Sequence, residues 1–294
     1  MEVVGSASLA SAPSRAADFL ELAKPRITFL VVVTAAVGYA LGAAVFQPGA
    51  FLAVLFGTAL VAGGASALNQ HAERDFDARM LRTRGRPLPS GRLAPGEALS
   101  FGLAISSGGL AVLSLGTNWL TVALGLAALV SYVFAYTPLK RVTSLCTVVG
   151  AVPGAIPPVM GWAAARGTLD RTAWALFAIL ALWQLPHFLA LSWIYREDYA
   201  RAGFPMLAVS DEDGASTGRQ ALLYAAALLP VTLAAGLFAQ AGAIFLVGAL
   251  GSGLAFLACA AAFARRREIS WARRLFLASV LHLPTVLCLM VFDR

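Results

Sequence analysis

The sequence predicts an all-α polytopic membrane protein with nine transmembrane helices. Three observations predict it. The 294 residues are 59% hydrophobic and only 13% charged, with a mean hydropathy of +0.77; a soluble domain holds about 45–50% apolar and about 25% charged residues. Nine continuous apolar runs approach or exceed the roughly 20 residues a helix needs to cross a bilayer. The lysines and arginines between those runs gather on alternate loops, the charge bias that orients helical membrane proteins.

Residues 1–23 are expected to be a flexible cytoplasmic leader, and residues 24–294 a single membrane domain, because no polar linker divides them. The leader lacks the basic start and apolar stretch of a cleavable signal, and its one basic residue, Arg15, is too few for a transit peptide. Lys24-Pro25-Arg26 then precedes the first run. The expected spans are 27–44, 51–68, 98–116, 120–136, 144–164, 173–194, 221–240, 243–263 and 275–292. Strands are excluded because the runs do not alternate and are about twice the length of a barrel strand. With the N-terminus in the cytoplasm, 19 lysines and arginines fall inside and only Arg166, Arg171 and Arg294 outside. This predicts an N-in, C-out chain and an odd number of spans.

The net charge of +7 would suggest nucleic acid in a soluble protein; here the bilayer accounts for it, and no nucleic-acid partner is expected. Cys146, Cys259 and Cys288 lie in or beside apolar runs without metal-ligand spacing, so no disulfide framework follows. The run 265–267 with Arg273 and Arg274 reads as a topology determinant that can touch anionic lipid.

Both long loops fall on the inside, and long loops carry function disproportionately. The first holds Asn69, Glu73 and Asp77 at i, i+4 and i+8, followed by Arg82, Arg84 and Arg86. If the second span continues as helix, the three share one face over about 12 Å. An amide oxygen beside two carboxylates suits Mg²⁺, which takes oxygen ligands and shares them with substrate phosphates. Arginines just downstream suit the phosphate oxygens. The plainer reading is a solvated helix end with weak ion pairs. Arg74 and Asp75 fall off that face and read as a surface pair.

The second cluster is Trp183, Gln184, Pro186 and His187, then Tyr195, Arg196, Glu197, Asp198 and Tyr199. A histidine within a span usually faces the bundle interior or a cavity; a packed histidine bonded to a neighbouring helix is the plainer reading. His282 has no acidic partner in sequence and favours that plainer reading more strongly. Lys140 and Arg141, at the inside end of the fourth span, can reach a phosphate or serve as anchors. The fifth span carries Gly150, Pro153, Gly154, Pro157, Pro158 and Gly161. It reads as irregular backbone lining a pocket, or as a kink packed against small residues.

Asn69-x-x-x-Glu73-x-x-x-Asp77, running into Arg82-Thr83-Arg84-Gly85-Arg86-Pro87-Leu88, resembles the first signature of the UbiA superfamily of intramembrane prenyltransferases. The middle glutamate, Tyr136-Thr137-Pro138-Leu139-Lys140-Arg141, Trp183-Gln184-x-Pro186-His187-Phe188 and Tyr195-Arg196-Glu197-Asp198-Tyr199 are similar to its heme-farnesylating branch. The match covers most of residues 20–290. One departure stands out: the second superfamily motif is usually D-x-x-x-D, whereas Asp198 is followed by Ala202.

The resemblance implies nine helices around a central cavity and Mg²⁺-dependent transfer of farnesyl from farnesyl diphosphate to a vinyl group of heme b, giving heme O. It implies Asn69, Glu73, Asp77, Glu197 and Asp198 as metal ligands, with Asn69, Glu73, Asp77 and Asp198 as the catalytic set. Arg82, Arg86, Lys140 and Arg141 would hold the diphosphate; Trp183 and Tyr195 would face the acceptor, and His187 would ligate or orient the heme iron. The implied partners are the bilayer and a heme A synthase that takes heme O onward. Two other readings stay in view: a quinone precursor or other aromatic acceptor at the same donor site, and a transporter. A transporter would carry acids near mid-bilayer, whereas here they gather at the cytoplasmic ends.

Overall fold

The computed structural model describes residues 14–294. Nine helical spans among them are long and apolar enough to cross a membrane, matching the number expected. They are α2 (Pro25–Gly42), α3 (Pro48–Asp77), α4 (Pro95–Gly116), a composite fourth span, α7 (Cys146–Arg166), α8 (Arg171–Ile194), α11 (Ala215–Ala239), α12 (Ala243–Arg266) and α13 (Ile269–Phe292). The fourth span joins α5 (Trp119–Val130), a π-helix (Ser131–Tyr136) and α6 (Thr137–Leu139). Three short helices, α1 (Arg15–Leu22), α9 (Arg196–Ala202) and α10 (Leu207–Ser210), lie outside the spans. Pro25, Pro48 and Pro95 each open a helix, a position where proline loses no hydrogen bond.

Of the leader, residues 1–13 lie outside the described residues. Residues 15–22 are not a flexible stretch: they form α1, capped by Ser14. The buried Asp18 takes Arg92 at 2.8 Å, Glu21 takes the same arginine at 3.0 Å, and Gln70 donates to the Leu22 carbonyl at 2.8 Å. Those partners lie far along the chain, so no local pattern announces the helix.

In the packing, α2 lies along α7 and α3, α3 along α4, α8 along α7 and α11, and α12 between α11 and α13; α13 returns to α8 and, more lightly, to α2. Small residues set the close approaches, as expected where lipid supplies no drive for helices to associate. A Cβ at Gly38 would sit 1.9 Å from the Pro158 carbonyl oxygen, and one at Gly161 would sit 1.9 Å from that of Ala35. The proline-rich α7 is one continuous helix, and Pro153, Pro157 and Pro158 are buried in it. Its small and cyclic residues therefore serve packing rather than an irregular wall.

The longest helix, α3, spans 30 residues, about 45 Å at 1.5 Å per residue. That exceeds the bilayer core and carries Asn69, Glu73 and Asp77 on the same helix past the apolar run. Gly161→Val should overpack the α2–α7 seam and destabilise the protein by about 1–3 kcal/mol, whereas Gly251→Ala, with open space around its Cβ, should be near neutral. Thermal unfolding of both variants in detergent checks this.

Candidate active site

The polar end of α3 is buried. Asn69, Glu73 and Asp77 are 4%, 1% and 1% exposed. Asn69 Nδ2 donates to Thr137 Oγ1 at 3.0 Å, and Thr137 donates on to the Tyr132 carbonyl at 2.8 Å. This ties α3 to the π-helix. A π-helix carries one extra residue per turn and often marks a functional site; here Tyr132 and Tyr136 stack within it at 5.2 Å.

Each carboxylate is half satisfied. Glu73 Oε2 takes Lys140 Nζ at 2.8 Å, and Asp77 Oδ2 takes Arg86 at 2.7 Å. The other oxygen of each, Glu73 Oε1 and Asp77 Oδ1, is buried without a hydrogen-bond partner. Lys140 stays cationic: burial is the largest single influence and lowers its pKa, but the charge and hydrogen bond of Glu73, with Tyr199 and Tyr132, together carry the net direction up. Its ammonium also lies 4.5 Å above the Phe204 ring, a cation–π contact.

The loop 78–94 folds back over this helix end. Thr83 donates to the Asp77 carbonyl at 2.8 Å, which returns the chain so that Arg86 reaches the Asp77 side chain. Buried Asp198, in α9, clamps the same loop from the other side. Its Oδ1 accepts the Leu81 N–H at 3.2 Å and Arg201 at 2.7 Å, and its Oδ2 accepts the Arg82 N–H at 3.4 Å. Arg82 lies 4.8 Å over the Tyr195 ring, and its guanidinium reaches Tyr199 Oη at 3.5 Å.

Several expected site residues stand apart. Glu197 is exposed on α9, since it neighbours Asp198 in sequence and points the other way. Arg141 is exposed, donates to the Ala72 carbonyl and stacks on Phe76 at 4.8 Å, which fastens it to the outside of α3. Asp198 spends its oxygens on the loop. Among the described residues, no three acidic, histidine or cysteine side chains converge as a metal cage. The donor set that fits Mg²⁺ is smaller than expected: the two orphaned oxygens of Glu73 and Asp77, one helical turn apart. An ion that keeps several waters and shares phosphate oxygens needs only one or two carboxylates. Arg74 and Asp75 pair with each other at 3.8 Å, off this face.

Lys24 is the residue that sequence reasoning missed, having counted it only among the inside charges. Its backbone is left-handed (φ 48°) immediately before Pro25, a strained position for a residue with a side chain. It lines a cavity of about 530 Å³ with Glu21, Arg26, Gln70 and Arg86. Burial, and next the nearby Arg86 guanidinium, lower its pKa to about 8, against the pull of Glu73 and Asp77. Its sequence signal was a lysine outside the loops, held by a proline at a span entrance. Trp183 and His187 lie deeper in α8, His187 about 10 Å from its inner end at 1.5 Å per residue.

A positive neighbour disfavours a protonated lysine. Arg86→Gln should therefore raise the Lys24 pKa above about 8. The pH dependence of reductive methylation at Lys24, read by peptide mass, checks the direction.

With this geometry in hand, comparisons with known proteins fall into one family. The profile of the UbiA prenyltransferase family matches residues 31–280. A protoheme IX farnesyltransferase of Solibacter usitatus is 48% identical over 291 residues, covering 94% of this chain and 98% of its own. One of Myxococcus xanthus is 45% identical, with 97% of each chain covered. Among solved structures, a digeranylgeranylglyceryl phosphate synthase superposes with a TM-score of 0.79 over 95% of this chain and 98% of its own, at 16% identity. A UbiA homolog from Archaeoglobus fulgidus bound to GPP and Mg²⁺ superposes at 0.67 over 93% and 99%, also at 16% identity. At that identity these structures speak for the fold.

Proposed function

The chain belongs to the UbiA prenyltransferase family, and we propose that it transfers a farnesyl group from farnesyl diphosphate to a vinyl group of heme b. The observation that carries the donor half is the pair of half-satisfied carboxylates, Glu73 and Asp77, each with one oxygen on a cation and one unpartnered. Protoheme IX farnesyltransferases 41–48% identical over most of the chain support the acceptor half.

Glu73 and Asp77 would hold Mg²⁺, with Asn69 fixing the helix face beside them. Such an ion would supply positive charge to offset that of the diphosphate as the leaving group. Lys140, Arg86 and Arg82 meet the same phosphate oxygens, and Asp198 positions Arg82 through its backbone. The cavity beside Lys24 admits the head group from the cytoplasmic side. In a site sheltered from water these charges act at full strength, because they need no reorganisation as the bond breaks. Lys140 and Arg86 are the cations that neutralise the carboxylates, so they are already in place when the anion arrives.

The allylic C–O bond of the donor breaks and its electron pair leaves with diphosphate. The terminal vinyl carbon of heme bonds to the farnesyl C1, leaving positive charge on the carbon next to the porphyrin. Water bonds there and releases one proton, giving the hydroxyethylfarnesyl group of heme O. The farnesyl chain and the macrocycle are apolar and lie among the spans; Tyr195 and Trp183 bound the acceptor region. The chain lies N-in, C-out in the bacterial inner membrane, which puts the segments 78–94 and 195–214 in the cytoplasm and lets its product pass to a heme A synthase.

Purified protein with Mg²⁺, farnesyl diphosphate and heme b should form heme O, identified by mass, and chelation should stop it. Asp77→Asn should cost on the order of 100-fold in rate; unchanged rate and metal dependence would sink the ligand assignment. For orientation, single cysteines replacing Arg84 and Arg171 should show opposite labelling by an impermeant maleimide: Arg84→Cys in inverted vesicles, Arg171→Cys in right-side-out cells.

A further inference from the structure

Two histidines sit inside spans, and the structure treats them differently. His187 Nδ1 lies 2.7 Å from Ser279 Oγ, on α13. His282 Nδ1 lies 3.1 Å from Ser252 Oγ, on α12. The second ring nitrogen separates them. His282 is 2% exposed and its Nε2 is sealed without a partner, as a packing residue would be. His187 is only partly buried, and among the described residues no group bonds its Nε2.

The hydrogen-bond chain around His187 fixes its proton. Ser279 Oγ also lies 2.5 Å from the Phe276 carbonyl oxygen. A carbonyl has no proton to give and a serine hydroxyl has only one. That proton therefore goes to Phe276, and Ser279 Oγ must accept from His187 Nδ1–H. The imidazole is thus held as the Nδ1–H tautomer, with its lone pair on Nε2. Trp183 Nε1 donates to the Ser279 carbonyl at 2.8 Å, which locks the serine's turn to α8.

The ring itself is clamped. Trp183 stacks on it at 5.0 Å and 29°, Phe276 lies tilted at 4.7 Å and 32°, and Phe188 meets it edge-on at 5.4 Å. Stacking closes most of the ring surface and Ser279 occupies one edge. The polar group left over is an oriented lone pair among aromatic side chains at membrane depth. Metal-bound histidines have this same arrangement: the second ring N–H donates to a fixed acceptor, which sets the ring orientation and raises ligand basicity.

We propose that His187 Nε2 is the axial ligand to the iron of the bound heme substrate, and that Ser279 is a positioning residue that sets its tautomer. The proposal rests on the heme reading above. It gives the acceptor a fixed depth and rotation centre, so that one vinyl edge can be presented to the donor repeatedly.

The test uses the full-length protein in detergent, ferric heme b as the probe, and Soret absorption with resonance Raman as the readout. The wild type should shift heme to a nitrogen-ligated spectrum. His187→Gly should lose it, and added imidazole should restore it. Ser279→Ala should weaken ligation about 10-fold, the lower end for removing such a partner. Ser279→Thr, which keeps the hydroxyl, should stay close to the wild type, and His282→Ala should leave the spectrum intact. A wild-type Soret band in His187→Gly overturns the proposal. So does a Ser279→Ala variant that binds as the wild type does. Heme O formation is scored on the same preparations. If His187→Gly makes heme O with an unchanged heme spectrum, the ligand assignment falls and the reaction stands. If the unaltered protein neither binds heme nor makes heme O, both fall.

Discussion

Two carboxylates buried at the end of a membrane helix must be neutralised, and much of the polar architecture follows from that requirement. Leaving a buried ion without its partner costs about 3–5 kcal/mol, a large fraction of a typical folding free energy. Glu73 is answered by Lys140 from the end of the fourth span, and Asp77 by Arg86 from the following loop. Meeting these two demands fixes the path of the loop 78–94 and the position of α6. Asp198 then holds the loop from α9, and Arg92 ties it to α1.

The same requirement explains why the cations crowd. Burial, and then the nearby Arg86 and Lys140, hold the pKa of Lys24 down. A protein that only needed to neutralise two acids would not collect a third cation, partly desolvated, beside them. The surplus is understandable if the site is built for more negative charge than Glu73 and Asp77 supply, as a prenyl diphosphate would bring. The orphaned carboxylate oxygens carry the complementary message, because they are under-coordinated by the cations already present.

Much of this was legible in the sequence because it is written in composition and period. Nine apolar runs gave nine spans, and the four-residue spacing from Asn69 to Asp77 gave one helix face. The structure departs where the outcome depends on contacts between distant segments. The helical state of residues 15–22 needs Arg92 and Gln70, neither of which any local pattern links to them. Asp198 and Glu197 are adjacent and equally acidic in sequence, yet the turn at Tyr195 buries one and exposes the other. Lys24 counted only as one of the inside charges, because its neighbours Gln70, Glu73, Asp77 and Arg86 come from distant segments. The π-helix 131–136 lies in an apolar run that gives no sign of a changed helical period.

On the proposed function, the donor and acceptor regions answer opposite physical demands. Diphosphate needs dense positive charge, which a bilayer tolerates only near its surface; the structure gathers that charge at the ends of α3 and α6. An apolar macrocycle needs the reverse, a deep site with few polar groups, each of them aimed. Along α8 the chain passes from one regime to the other. Asp198 and Tyr195 lie at the charged mouth just past its end; His187 lies among aromatic rings about two turns deeper, and Trp183 about three. The reacting carbons must meet between them, so the donor has to be held by its head and the acceptor by its centre. A fixed imidazole lone pair meets the second condition without placing another ion in the membrane.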